Sequence, residues 1–165
     1  MTKKFSTETL IKKIERLTKE RIAEQQVVEL DQFRDVKNKM QPINVLVIED
    51  DETQRNSLKR IIESEGYQAK LAADSAELTR ILDEDHEIHF IILDVGLPWI
   101  NGFEIAHMIK EHKDLKSIPL IFLSAQADSA DLDQARQVGA DDYIKKPFDI
   151  EKLKNRMREL IKGQK

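Results

Sequence analysis

The 165-residue chain contains no cysteine, which excludes disulfides and thiolate-bound metals and leaves the redox compartment open. Long apolar runs are also missing. None approaches the roughly 20 residues needed to span a bilayer. Met1–Ser6 leads into alternating charge instead of the apolar core of a signal peptide. The default reading is therefore a cytoplasmic protein with no membrane partner. An excess of positive charge is lacking too: the formal net charge is -4 at pH 7, which argues against a nucleic-acid surface. Glycine and proline are scarce, at five and four residues, and neither occurs between positions 7 and 40.

What is present is charge, at 35% of residues, unevenly spread. Residues 1–41 carry ten Lys/Arg against seven Asp/Glu, a balance of +3, and the remainder carries -7. The length accommodates one ordinary domain and an extension. Helix formers dominate the first half of the leading segment, and an apolar stripe runs through Ile11, Ile14 and Ile22, then Phe33, Val36 and Met40. Gln25 and Glu29 interrupt it. The expectation for 1–41 is a helical extension, roughly 50 Å long if continuous at about 1.5 Å per residue. It would serve as a dimerising or docking helix or as a solvated leader, and Gln41-Pro42 ends it.

From Ile43 the pattern alternates strand and helix. Asn44–Ile48 reads as an apolar strand, followed by a helix from about Thr53 that stops at Gly66. A strand from Tyr67 to Ala72 precedes a capping box in which Asp74 caps and Glu77 lies three residues on. Phe90–Leu93 leads into Asp94, with a helix from about Gly102 to Lys113. Pro119–Leu123 ends on Ser124, and its helix runs from a cap near Asp128 to Gly139. Asp142–Lys145 precedes Lys146-Pro147, and Asp149 caps the last helix, whose apolar face is Ile150, Leu153, Met157, Leu160 and Ile161. Five such units predict an α/β fold: a doubly wound parallel sheet with helices on both faces and right-handed crossovers.

The chemistry gathers where these strands end. Strand one ends at Glu49 and Asp50, strand three at Asp94, strand four at Ser124 and strand five at Lys146. In a parallel sheet all these termini share one edge, where open α/β folds place ligands. Each residue has an ordinary reading alone: helix-start acids, a loop serine, a surface lysine. Together they put three carboxylates in mutual repulsion unless a cation intervenes. Carboxylates with water and a backbone carbonyl suit Mg²⁺. An Asp94 oxygen left free is a nucleophile for a phosphoryl group, with Lys146 as the cation on the phosphoryl oxygens and the Ser124 hydroxyl as a donor.

Residues 43–163 resemble the receiver domain of two-component response regulators, the CheY-like superfamily. The resemblance is carried by Glu49-Asp50, Leu93-Asp94 with Leu97-Pro98 and Gly102, Ser124-Ala125, and Gly139 to Phe148. It implies a flavodoxin-like strand order 2-1-3-4-5 over residues 42–165. It implies that Asp94 accepts a phosphoryl group from a histidine kinase or histidine phosphotransfer protein, with Mg²⁺ on Glu49, Asp50, Asp94 and the Gly96 carbonyl. Ser124 and Tyr143 become the switch pair, and Lys146-Pro147 a cis peptide. Such a domain is a phosphoacceptor that catalyses its own phosphorylation and dephosphorylation, not an enzyme acting on others. In this family the positions of Gly96 and Gln126 tune phosphoaspartate lifetime, and here one lacks a side chain and the other is neutral. Trp99 is unusual and reads as a partner contact or loop packing. His86, His89, His107 and His112 show no ligand spacing.

The implied switch biases a surface made by helix four, strand five and helix five, read by a downstream protein or by a homodimer through that face or the leading helix. The expectation from the residues after Gly163 is that no output domain follows. The first expectation is a single-domain regulator or relay intermediate, and the alternative is a regulatory module excised from a larger effector. A doubly wound hydrolase ranks last: there is no Walker-type phosphate loop and no second aspartate two residues after Asp94.

Overall fold

The computed structural model describes residues 41–84 and 87–164; the expected helix over 7–40 and His86 lie outside the described residues. Five strands form one parallel sheet in the order β2-β1-β3-β4-β5: β1 (Asn44–Ile48), β2 (Gln68–Ala72), β3 (Phe90–Asp94), β4 (Leu120–Ser124) and β5 (Asp142–Lys145). This is the expected doubly wound order. Every residue of β1, β3 and β4 is buried, because helices cover both faces of the central strands and leave no solvated side to alternate toward.

Between the strands run α1 (Glu52–Ser64), α2 (Ser75–Asp83), α3 (Gly102–Glu111) and α4 (Ser129–Gln137), with α5 (Ile150–Lys162) last. Each starts on an Asp or Asn whose side chain accepts a first-turn N–H: Asp51, Asp74, Asn101, Asp128 and Asp149. Such a cap stabilises by about 1 kcal/mol. The expected box at α2 forms with a one-residue offset, since Glu77 accepts from the Ala73 N–H. Gly66 and Gly139 close α1 and α4 at φ 78° and 83°, where a side chain would be strained.

Alternate residues of each strand feed two cores. Val45, Val47, Ile92, Ile121 and Leu123 pack with α1 and α5 through Leu58, Ile62, Leu153 and Met157. Leu46, Ile48, Ile91, Leu93 and Phe122 pack with α2, α3 and α4 through Ile81, Phe103 and Ala135. One expectation for the core fails: Ile150, the first residue of α5, is 50% exposed, while Leu153 and Met157 are buried and Leu160 and Ile161 pack partly buried against the core.

Candidate functional site

Register brings the strand ends together. Ile48 lies beside Leu93, Asp94 beside Leu123, and Ser124 beside Lys145. Single bonds extend the ladder past the strands: Glu49 N–H to Ala72 O, Val95 N–H to Leu123 O, and Lys146 N–H to Ser124 O at 2.7 Å. The residues that carry the chemistry thus leave the sheet from a braced backbone at its carboxyl edge.

Glu49, Asp50 and Asp94 each present an oxygen within 4.8 Å of the others'. Glu49 is 1% and Asp94 8% exposed, whereas Asp50 is open to solvent. Burial pushes the Glu49 carboxyl above the usual glutamate range; the hydrogen bond from Lys146 opposes this and the Asp94 charge reinforces it. The Lys146 Nζ stands 2.8 Å from Glu49 Oε2 and 3.3 Å from Asp94 Oδ1. Burial pulls the pKa of this amine down, but the hydrogen bond to Glu49 and the field of both acids outweigh it and raise it. The cluster thus brings three acidic side chains and one basic one together. An oxygen-only donor set with that charge fits a hard divalent cation such as Mg²⁺.

Ser124 is buried, and its Oγ accepts the Gln126 N–H at 3.1 Å. Tyr143 donates its hydroxyl to the Gln126 carbonyl at 2.7 Å, with its ring 6.0 Å from that of Phe122. Burial raises the Tyr143 hydroxyl pKa, with a contribution from Ser124 pulling the other way. Both hydroxyls are thus tied to the backbone of one residue, a link no side-chain pattern announces. Lys146-Pro147 is cis. A Cβ on Gly96 would meet nothing within 4 Å, so the loop above Asp94 is open there.

Some of the site's surroundings escaped sequence reasoning. A Cβ on Gly102 would lie 2.5 Å from Asp94 O and 2.7 Å from Val95 Cα, so α3 starts against the backbone of Asp94. Arg55 reaches back to the carbonyls of Glu49 and Asp50. Trp99 donates its indole N–H to Ala73 O at 3.3 Å and packs half-buried on the core, which supports the loop-packing reading. His89 Nδ1 accepts the Asn44 N–H, a packing role. Beside Lys146, an apolar groove of about 540 Å³ runs between α1 and the β5–α5 loop, lined by Leu58, Ile61, Pro147, Phe148 and Ile150.

Comparison with known proteins places this geometry. The family model described as response regulator receiver domain matches residues 45–158. The aerobic respiration control protein ArcA of Escherichia coli (strain K12) is 38% identical over 122 residues, 74% of this chain and 50% of that protein. The chain spans about half the length of the curated relatives it matches. A CheY-like receiver domain protein from Methanospirillum hungatei JF-1 superposes with a TM-score of 0.68 at 26% identity, covering 75% of this chain and 97% of that one. The receiver domain of the sensor histidine kinase PA1611 from Pseudomonas aeruginosa PAO1, solved with a magnesium ion in its active site cleft, gives 0.65 at 26% identity over 73% and 98%.

Proposed function

The chain belongs to the response regulator receiver family of two-component systems, and from that premise we propose that Asp94 is its phosphoacceptor. A carboxylate oxygen of Asp94 attacks the phosphorus of a phosphohistidine. The P–O bond forms as the P–N bond breaks, and the donor imidazole keeps the electron pair and takes a proton. Glu49, Asp50, Asp94 and the Gly96 carbonyl would hold Mg²⁺, which would supply charge neutralisation for the converging negative groups. Lys146 supplies the ammonium for the phosphoryl oxygens. The buried Ser124 hydroxyl turns from the Gln126 N–H to donate to them. The observation that carries this reading is the Lys146 ammonium within hydrogen-bond reach of Asp94, in a cluster of three acids.

The protein is a signalling module, and its own site catalyses transfer to and loss from Asp94. The donor is a histidine kinase or histidine phosphotransfer protein, whose helix seats in the apolar groove beside Lys146. Modification adds roughly -1.5 to -2 charge and moves Ser124, so the Tyr143–Gln126 tie repositions and biases the face formed by α4, β5 and α5 toward a protein target or a second copy. The expected role of residues 1–41 in pairing two copies lies outside the described residues; equal solution masses with and without them would reject that role.

Incubation with acetyl phosphate and MgCl₂ tests the acceptor directly. The wild type gains one phosphoryl group by mass and Asp94→Asn gains none; uptake by the variant overturns the assignment. A second reading, favoured by the match to half of each curated relative, makes this chain the regulatory module of a longer effector. A stop codon directly after the Lys165 codon rejects it.

A further inference from the structure

The acid pair poses a stereochemical problem. Along a strand, successive side chains point to opposite faces, yet Glu49 and Asp50 are consecutive and both bring an oxygen to Asp94. The chain solves this by bending at Asp50, just past the last β1–β2 bond. The same bend turns two successive carbonyls, which in a strand point to opposite edges, toward one atom. Arg55 Nη1 donates to Glu49 O at 3.0 Å and to Asp50 O at 2.9 Å.

Arg55 stands in the first turn of α1, where its own N–H bonds Asp51 O. A cation is disfavoured at that end of a helix, because the macrodipole is positive there. The two carbonyls supply what the position lacks. Glu49 has further restraints, since its carboxylate accepts from Lys146 and from the Asp51 N–H. The Asp50 carboxylate has no hydrogen bond among the described residues, so its place depends on the backbone alone.

We propose that Arg55 is the positioning residue of the metal-binding acids: its grip on the Glu49 and Asp50 carbonyls keeps the bend that presents both carboxylates, with Asp94, to Mg²⁺. Arg55 bonds only the backbone of the acid pair, so it acts through the loop. The inference rests on reading this cluster as the magnesium site.

The test is calorimetric titration of the full chain with MgCl₂, alongside thermal melts without metal. Arg55→Ala should weaken Mg²⁺ binding about 10–100-fold, the range seen when outer partners of metal ligands are removed. Arg55→Lys should recover part of the loss, because an ammonium can donate to two carbonyls but lacks the planar fork. Lys59→Ala removes a cation from an exposed site on the same helix and should leave the affinity within twofold. If Arg55→Ala does not melt cooperatively, Arg55→Gln is judged by the same criterion. Wild-type affinity in the Arg55 variant, or a loss matched by Lys59→Ala, overturns the inference. A wild type that binds no Mg²⁺ overturns the magnesium reading itself and is thereby told apart.

Discussion

The Lys146 ammonium is closer to Glu49 than to Asp94, at 2.8 Å against 3.3 Å. Its firmer partner is thus Glu49, the buried acid just past β1, while Asp94 keeps the longer, weaker contact. This arrangement opposes the upward pull of burial on the Glu49 pKa and holds a cation beside Asp94. The site is pre-organised at the expense of stability, since three acids share one compensating charge.

Removing that charge should be felt most without metal. Lys146→Met leaves Glu49, Asp50 and Asp94 facing one another and is expected to cost about 1–3 kcal/mol, less than a fully buried pair because the site meets solvent through Asp50. Urea denaturation with and without Mg²⁺ checks this, and the deficit should shrink when Mg²⁺ is added. An equal deficit in both conditions would contradict the shared-charge account.

Gly102 and Gly96 should differ sharply. Gly102→Ala drives a Cβ into the Asp94 carbonyl and Val95, and the start of α3 must move, at a cost of about 2–3 kcal/mol. Gly96→Ala enters open space and should change stability by less than about 0.5 kcal/mol. Thermal melts of the two variants give the comparison.

Tyr143→Phe keeps the ring beside Phe122 and loses the hydroxyl with its bond to the Gln126 carbonyl. The expected cost is about 0.5–1.5 kcal/mol. Phosphorylation of Asp94 should persist in this variant, with loss confined to binding of the downstream partner. A variant that no longer takes a phosphoryl group would place Tyr143 in the transfer step.

The pH dependence of stability should carry a mark of Glu65. The hydrogen bond from Arg158 holds its carboxyl below the ordinary glutamate value of 4.5, with Lys154 adding to the effect. The folded protein therefore binds this proton less readily than the unfolded chain. The stabilisation is complete above the ordinary glutamate range and fades as pH falls through the lower folded value. Glu65→Gln should melt below wild type at pH 7, and the gap should close under acid conditions.

Much of this molecule was legible along the chain. Uninterrupted apolar runs of five residues mark strands buried on both faces, as β1, β3 and β4 are. Asp74, Asp128 and Asp149 announce helix starts because a short carboxylate satisfies N–H groups that a helix leaves unpaired. Since parallel strands end on a common edge, the convergence of Glu49, Asp94, Ser124 and Lys146 followed from their order alone. Ile150 was misplaced because periodicity describes a helix face and does not say which of its residues a neighbouring element covers.

By itself, then, the sequence determined the order of elements, the shared edge and the residue types that meet there, because all three follow from local periodicity and topology. Only the tertiary structure decided which acid takes the lysine, that Arg55 turns back onto the acid loop, that Gly102 must lack a Cβ, and that Gln126 ties both hydroxyls. These are matters of a few ångströms between groups as many as 97 positions apart. Hydrogen bonds and steric contacts decay over that range, and no one-dimensional pattern records it.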